Sequence, residues 1–405
     1  MRAAYFAFDR FPSSKGSAVH IGQMAAELFH GYGGGLLGVL GGGGLPRYQR
    51  EGDVLIARFD EQIPNLIDRA EAYSHWVARH LAPHLGTLEL VHVRDPWSAL
   101  PALGDRHKVV YEVNGLPSIE LPHTWPHAAP ATLAKLRDLE AHCLAGADAI
   151  VVPSRVIADC VRRYGIDPDR IHLVPNAADP VVHLRDGAPM EAGEGAPPSA
   201  PSVEAPGPVG LGAGDGEAAG PAGVGRYVVY VGALQRWQGV DVLLRAFARL
   251  ADLDWLRLVI CSSVPERRAR PLRRLAERLG VAERVEWRFT LPHHEVADWL
   301  AGAEVSVAPL TACPRNLEQG CAPLKILESM AAGTAVVASD LPVVREILGD
   351  DGRLVAPDRP AELARAIRIM LEYPEAAEAM AERARVRVPS WSESRARLAA
   401  VYRRV

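Results

Sequence analysis

Short apolar runs rich in β-branched residues alternate with amphipathic stretches along most of this chain. The runs that predict strands are residues 2–8, 36–40, 88–93, 108–113, 149–152 and 171–174, followed by residues 227–231, 256–261, 285–289, 305–308, 335–338 and 353–355. The stretches that predict helices are residues 17–30, 130–144, 240–251, 270–279, 295–301 and 324–332. Such alternation is typical of parallel sheets joined by helical crossovers, so the sequence predicts an α/β protein with doubly wound sheets.

A segment of different composition separates the two halves of the chain. Residues 183–226 contain 11 Gly, 7 Pro and 9 Ala among 44 residues. A segment with so few large apolar side chains cannot offset the entropy that ordering would cost, so we expect a disordered insertion. The predicted organisation is a parallel-sheet domain at 1–182, the insertion at 183–226, a second parallel-sheet domain at 227–388, and a helix at 389–405 that packs back toward the first domain.

The overall composition narrows the range of partners. The chain has 405 residues with 45 basic and 49 acidic side chains, a formal net charge of −4. This length predicts about two domains, and the charge lacks the basic excess that nucleic-acid binding requires. The sequence shows neither an apolar run of the ~18–20 residues that span a bilayer nor a signal peptide, which predicts a cytoplasmic protein with at most weak peripheral membrane association. Five cysteines without a CxxC pair argue against a disulfide framework and a zinc ribbon.

Two loops of small residues follow the first predicted strand of each half. Residues 11–18 lead into a helix whose free N–H groups can receive an anionic group. Residues 230–239 also open a helix and contain Arg236, a cation near that helix start. Glycine and serine also serve simply to turn the chain and cap a helix, so these loops alone leave a binding role and a structural role open.

The stretch 317–340 carries the strongest chemical signal. A loop with Gly320 and Pro323 enters a helix whose first turn carries Lys325, and Glu328 follows one turn later on the same face. A cation beside open helix N–H groups suits a diphosphate, and a carboxylate suits a ribose diol. An ordinary Lys–Glu pair on a solvated helix face has the same spacing. Ligands of doubly wound sheets bind beyond the carboxyl ends of the strands, so we look for the site in a cleft between the domains.

At this stretch the chain resembles the retaining, nucleotide-sugar-dependent glycosyltransferases of family four. These have the GT-B fold, in which two Rossmann-like domains face a central cleft. The motifs that carry the resemblance lie, in order, at residues 11–18, 91–97, 111–115, 149–154, 174–179, 230–232, 323–328, 330–333 and 352–355. Together they imply a GT-B enzyme in which the first domain binds the acceptor and the second binds the donor.

The chain departs from the family pattern at the positions that usually touch the donor. Glu328 matches the second glutamate of the E-x7-E motif, which implies that it holds the ribose hydroxyls, but the first glutamate falls on Gly320. The arginine and lysine of the second-domain loop fall on Ala233 and Gln238. We expect two other cations, Arg236 and Lys325, to take their place.

The resemblance implies three groups of site residues. The residues expected to stabilise the departing diphosphate are Lys325, Arg236 and Arg94, the last of which stands where the family often has histidine. The residues expected to bind the donor are Gly232, Gln238, Pro323, Leu324, Lys325 and Glu328. The residues expected in an acceptor or phosphate loop are Gly16, Ser17 and Asn114. We expect no metal ion and no cofactor other than the nucleotide-sugar co-substrate.

The implied activity is a metal-independent, hexosyltransferase-type transfer of a sugar from a nucleoside-diphosphate donor, with retention of configuration. The acceptor is not identified; an envelope glycan, a lipid and a small natural product of a GC-rich bacterium are the expected classes. Two other functions stay open. A nucleotide-sugar epimerase of GT-B-like fold would need paired acid/base carboxylates, for which Glu112 and Glu120 are the candidates. A non-catalytic sugar-nucleotide binding protein would explain the missing glutamate and lysine.

Overall fold

The described residues of the protein form two open β-sheets with helices packed against them. The structure is a computed structural model, and it describes residues 1–104, 106–180, 224–320 and 322–405. The predicted insertion at 183–226 lies outside the described residues except for its last three positions, which lead into the second sheet. Cys321 lies outside them as well.

The first sheet is parallel apart from one edge hairpin. Its strands are β1 (Ala3–Arg10), β2 (Gly35–Leu40), β3 (Tyr48–Glu51), β4 (Val54–Phe59), β5 (Leu90–Val93), β6 (Lys108–Glu112), β7 (Ala149–Val152) and β8 (Ile171–Leu173). They lie in the order β3-β4-β2-β1-β5-β6-β7-β8. In the register of the central strand β1, Tyr5 lies between Leu37 of β2 and His92 of β5. The strands from β2 to β4 lie on one side of β1, and the strands from β5 to β8 lie on the other. This reversal of strand order leaves a crevice at the carboxyl end of β1.

The hairpin of β3 and β4 was not predicted. β3 reads Tyr-Gln-Arg-Glu, pairs antiparallel with β4 and forms the edge of the sheet within the described residues. An edge strand with polar residues carries no apolar run, and charged side chains there protect the edge from pairing with another chain. The apolar-run criterion therefore could not detect β3, whereas β4 does carry an apolar run, Val-Leu-Ile-Ala, and was overlooked.

The second sheet is wholly parallel in the part of the chain that the structure describes. Its strands are β9 (Tyr227–Gly232), β10 (Arg257–Ser262), β11 (Val285–Phe289), β12 (Val305–Ala308), β13 (Val336–Ser339) and β14 (Arg353–Val355). They lie in the order β11-β10-β9-β12-β13-β14. The strand order reverses direction at β9, so this sheet also has a crevice beyond the end of its first strand.

The helices cross over between these strands. In the first half they are α1 (Gly16–Tyr32), α2 (Leu66–Leu81), α3 (Pro96–Ala102), α4 (Pro117–Thr124), α5 (Pro130–Gly146) and α6 (Arg155–Arg162). In the second half they are α7 (Val240–Phe247), α8 (Arg270–Arg278), α9 (His293–Ala301), α10 (Leu324–Ala331), α11 (Pro342–Leu348), α12 (Pro360–Glu372), α13 (Pro374–Val386) and α14 (Trp391–Tyr402). Among the described residues, every helix is too short or too polar to span a bilayer.

The last helix returns to the first sheet. Ser390 caps the start of α14, and its side chain and that of Glu393 form a reciprocal capping box. Its buried side chains, among them Leu398 and Val401, join the apolar cluster that α1 forms with β1 and β2. α14 thus packs the last part of the chain against the first sheet.

Candidate active site between the two sheets

A cavity of about 400 Å³ lies where the carboxyl ends of the strands of both sheets meet. From the first sheet it is lined by residues that directly follow β1, β5 and β6, and from the second by residues that directly follow β9, β10 and β11. Among the lining residues are Gly16, Ser17, His20, Arg94, Asn114, Gly232, Trp237, Gln238, His293, Arg315, Pro323, Leu324, Lys325 and Glu328. This placement is the one that doubly wound sheets give to a ligand site.

Lys325 projects from the first turn of α10 to the end of β9. Its Nζ donates to Gln238 Oε1 at 2.6 Å and to the Tyr230 hydroxyl at 3.0 Å, and it lies 4.2 Å from the centre of the Tyr230 ring. A Cβ at Gly232, which has a φ of +137°, would lie 2.7 Å from this Nζ. A side chain at this position would therefore displace the amine from its place at the strand end.

Burial disfavours the charged form of this amine. It lowers the pKa of Lys325 to about 7; the charge of Glu328 opposes this effect and the charge of Arg315 adds to it. An anionic ligand bound beside this amine would favour the protonated form of Lys325.

Glu328 lies on the same face of α10, one turn after Lys325. Its side chain is 16% exposed, and Oε1 is 3.9 Å from Nδ1 of His293. Burial raises the pKa of Glu328, against the positive charges of His293 and Lys325. No motif singled out His293, which the structure places at the start of α9 in the wall of the cavity.

The predicted cation Arg236 does not share this position. It lies in a short 3-10 turn, Arg236–Gln238, where it is exposed and stands outside the described cavity lining. The turn instead buries its neighbour Trp237. Arg315, which sequence reasoning missed, lines the cavity and lies over the Trp237 ring at 5.1 Å. The only signal for it was its position in the loop directly before the Pro-x-Lys-x-x-Glu motif.

Arg94 follows β5 and is held by carboxylates of the first domain. Its Nε donates to Glu112 Oε1 at 2.9 Å, and its Nη1 is 3.8 Å from Asp9 Oδ2. Asp95, the next residue along the chain, caps α3 by accepting from the Ser98 N–H at 2.8 Å. The predicted site residue Asn114 contacts the same Glu112 oxygen as Arg94. Glu112 therefore positions both Arg94 and Asn114. From the sequence, Glu112 was considered only as a candidate acid or base.

Glu112 is 1% exposed and is surrounded by donors. Tyr5 donates to Oε2 at 3.0 Å, and Nε2 of His92 and of His20 lie 3.1 and 2.8 Å from its oxygens. Burial raises its pKa, but His20, Arg94 and the hydrogen bonds outweigh that effect and hold the pKa of Glu112 well below its usual value. The carboxylate stays ionised, which disqualifies it as a proton shuttle near neutral pH.

The hydrogen-bond partners of His92 fix its tautomer. The Tyr402 hydroxyl lies 2.7 Å from Nδ1 of His92, while Nε2 faces Glu112. A carboxylate accepts only, so Nε2 carries the proton and Nδ1 accepts from Tyr402. Burial lowers the pKa of His92, which keeps the ring neutral. Tyr402 of α14 thus orients His92, which in turn contacts Glu112.

The predicted acceptor or phosphate loop lies at the start of α1. Gly16 packs against the first residue of α10, since a Cβ there would lie 2.8 Å from Leu324 Cδ1. The Ser17 Oγ is buried without a hydrogen-bond partner in the described structure, and it belongs to the cavity lining. Buried polar atoms normally have partners, so an unpaired one in a cavity wall points to a ligand atom.

Gly320 shows why the first glutamate of the motif is missing. It has a φ of +61°, and a Cβ there would meet Cγ1 of Val156, in the first domain, at 2.3 Å. Its carbonyl accepts from the Ser154 hydroxyl at 3.0 Å, and the nearby Ala322 carbonyl accepts from Asn176 Nδ2 at 2.7 Å. The backbone of this loop is therefore used to dock the two domains together, and no longer side chain fits at position 320.

Two family models match the chain, one on each sheet. "Glycosyltransferase Family 4" matches residues 36–182, and "Glycosyl transferases group 1" matches residues 225–373. The chain belongs to the family-four glycosyltransferases. The family predicted from the sequence motifs is confirmed.

The names of relatives of this family-four chain refer to different compounds. It is 30% identical over 297 residues to D-inositol 3-phosphate glycosyltransferase 1 of Catenulispora acidiphila, covering 70% of this chain and 62% of that relative. It is 28% identical to alpha-maltose-1-phosphate synthase of Mycolicibacterium smegmatis over 375 residues, which are 84% of this chain and 81% of that one. The chain spans only about six tenths of the first relative's length.

Solved structures establish the fold of this family-four member. Sucrose-phosphate synthase from Thermosynechococcus elongatus superposes with a TM-score of 0.75 at 17% identity, covering 100% of this chain and 98% of that one. HepE of Anabaena in complex with UDP-glucose superposes with a TM-score of 0.70 at 14% identity over 100% of both chains. The predicted α/β fold of GT-B type, with two open parallel sheets facing a cleft, is confirmed.

Proposed function

We propose that the protein is a retaining glycosyltransferase that moves a sugar from a nucleoside-diphosphate donor to the hydroxyl of an acceptor. The observation that carries the proposal is the projection of Lys325 and Glu328 from one face of α10 into the cavity between the sheets. A solvated Lys–Glu pair, the alternative that the sequence left open, would lie on the outer surface.

The arrangement assigns a part of the donor to each group. Lys325 and the amide groups at the start of α10 suit the diphosphate, because both carry positive charge toward the cavity. Glu328 suits the ribose diol, since a carboxylate can accept two hydroxyl hydrogen bonds. HepE of Anabaena, which shares this fold, was solved in complex with UDP-glucose, and this supports a donor of the same class.

The chemistry in this proposal is mainly electrostatic. As the bond between the anomeric carbon and the diphosphate breaks, its electron pair stays on the diphosphate and the sugar becomes oxocarbenium-like. Fixed cations and N–H groups that face the leaving oxygen stabilise that charge without reorganising. We propose that the Lys and Arg side chains of the cavity supply this charge, so that the reaction needs neither a metal ion nor a cofactor.

Two further parts of the proposal rest on the sequence. A cytoplasmic location with weak peripheral membrane association stays a prediction. So does the acceptor class, an envelope glycan, a lipid or a small natural product.

The structure gives no support to the epimerase alternative. Glu112 is held ionised by its partners, and Glu120 lies outside the described cavity lining. An epimerase requires a carboxyl group that can exchange a proton with the sugar.

A donor screen followed by a labelled-sugar assay tests the proposal. Thermal unfolding is measured with a panel of nucleoside-diphosphate sugars beginning with UDP-glucose, because a ligand of the folded state raises the unfolding temperature according to its affinity. The stabilising donor is then supplied with its sugar labelled. We expect slow release of free sugar, and transfer when acceptor is added. Recovery of an epimer, or of unaltered donor after prolonged incubation with cell-extract acceptors, would contradict the proposal.

A further inference from the structure

Arg315 is the first residue of a π-helical turn, Arg315–Gln319, that precedes α10. Its guanidinium lies in the cavity wall with a side-chain exposure of 15%, and its Cζ lies over the buried ring of Trp237, 5.1 Å from the ring centre. Asn316 fixes the same loop by donating to the carbonyls of Trp237 and Thr311 at 3.0 and 2.9 Å. A flat guanidinium on an aromatic face is held in orientation while its N–H edge stays polar.

The partner that orients Arg315 belongs to the opposite domain. Its Nε donates to Glu120 Oε1 at 3.0 Å, and Gln319 Nε2 donates to the same oxygen at 2.9 Å. Gln319 in turn accepts from the Leu116 N–H at 2.8 Å. The position of the guanidinium therefore depends on contact between the two domains, in contrast to Lys325, whose hydrogen-bond partners Tyr230 and Gln238 belong to its own domain.

The proposed function requires positive charge beside the leaving diphosphate. The two loop positions at which the family has its cations are Ala233 and Gln238 in this chain, and both are neutral. Arg94 is neutralised by the buried Glu112 and by Asp9.

Arg315 and Lys325 lie close enough to interact. The charge of Arg315 is among the causes that lower the pKa of Lys325. Two neighbouring cations repel each other across the cavity, and an anion bound there relieves that repulsion. The Trp237 Nε1 atom, buried and without a partner among the described residues, provides a further N–H at the same place.

We propose that Arg315 stabilises the negative charge that gathers on the leaving diphosphate, and that Glu120 of the opposite domain positions it. This inference rests on the proposed function. The bond from the anomeric carbon to the diphosphate oxygen breaks with its electron pair going to that oxygen. A new bond forms to the acceptor oxygen, whose proton passes to the leaving phosphate. Arg315 is the catalytic residue in this scheme, and Glu120 is a positioning residue.

The test compares four variants in the full-length protein. Arg315→Gln removes the charge, Arg315→Lys keeps the charge without the planar fork, and Glu120→Gln removes the orienting carboxylate. Arg368→Gln is the matched control, since Arg368 forms an exposed pair with Asp252 outside the described cavity lining. For each variant, kcat and KM are measured with the donor that the unaltered protein uses, and the affinities for UDP-glucose and for UDP are measured by calorimetry.

We expect Arg315→Gln to lower kcat by about 10²- to 10³-fold, the usual effect of removing one group that faces a developing oxyanion. It should weaken UDP binding more than UDP-glucose binding, because UDP carries the negative charge that develops on the leaving diphosphate. Arg315→Lys should recover part of kcat. Glu120→Gln should lower kcat by roughly tenfold with little change in KM, because only the geometry of the guanidinium is lost.

The outcomes separate this inference from the proposed function. If the unaltered protein neither binds nor consumes any sugar nucleotide of the panel, both fail. If it is active and Arg315→Gln keeps kcat within about threefold, or weakens UDP and UDP-glucose equally, only the inference fails. Should Arg315→Gln not fold, the decision passes to Arg315→Lys and Glu120→Gln, and a kcat equal to that of Arg368→Gln in both variants overturns the inference.

Discussion

Replacement of Lys325 by methionine should weaken donor binding without lowering the stability of the folded protein. Methionine keeps the approximate length and apolar stem of lysine but removes the ammonium group, which donates at 2.6 Å to Gln238. In the proposed complex this group faces the diphosphate. A hydrogen bond to a charged group contributes about 1.5–3 kcal/mol, so the variant should bind the donor about 10- to 150-fold more weakly.

The same variant should not lose folding stability. Folding lowers the pKa of Lys325 from 10.5 to about 7, so the unfolded chain binds more protons between these values. Stability therefore rises as pH rises through that window, and below it the buried amine costs free energy. Removing the amine relieves that cost. We expect an unfolding temperature at neutral pH that equals or exceeds that of the unaltered protein.

Donor binding should also depend on pH in a defined direction. An anion favours the ammonium form, which is already present below a pH of about 7. Above it, the affinity should fall by about tenfold per pH unit, because binding must then take up a proton. The fall ends at the raised pKa of the complex. The methionine variant should show no such slope.

Calorimetry of donor binding at several pH values above neutrality checks these expectations, with Lys135→Met as the control. Lys135 is exposed on α5 and stands outside the described cavity lining. If Lys325→Met keeps the affinity of the unaltered protein, or if its affinity falls with pH as steeply as that of the control, the assignment of Lys325 to the diphosphate is wrong.

Other expected outcomes concern the groups around the cavity. Glu328→Gln should weaken binding of UDP-glucose about tenfold without lowering the unfolding temperature, and unchanged calorimetric affinity would argue against a ribose contact. Glu112→Gln should lower the free energy of unfolding in denaturant by about 3–5 kcal/mol, because Arg94 would be left without its buried carboxylate; an unaltered transition midpoint would contradict this account. Gly320→Ala should lower the unfolding temperature, since the new Cβ would meet Val156 Cγ1 at 2.3 Å. Val156→Gly removes both Cγ1 and Cβ, the latter of which would lie 2.6 Å from the new atom. In the Gly320→Ala chain it should therefore lower the unfolding temperature less than it does in the unaltered chain, and equal losses would show that the contact is not responsible.

Much of the fold followed from local pattern. Buried parallel strands are mostly continuous apolar runs, and the runs at 149–152 and 305–308 coincide with β7 and β12. The edge strand β3 lacks such a run and was missed. Lys325 and Glu328 could also be placed together from the sequence, because three residues of helix return to the same face.

Neither apolar runs nor helical spacing could predict contacts between residues from distant parts of the chain. Arg315 lies beside Glu120 although 195 positions separate them, and Tyr402 reaches His92 across 310 positions. Arg236 looked like a suitable loop cation, yet in the folded turn it is the neighbouring Trp237 that is buried while Arg236 is exposed. Periodicity and spacing are properties of one helix or strand, so the chain alone determined its alternating elements and the Lys325–Glu328 face. Which charges meet across a cleft depends on how separate elements pack, and that was decided by the contacts between the two sheets.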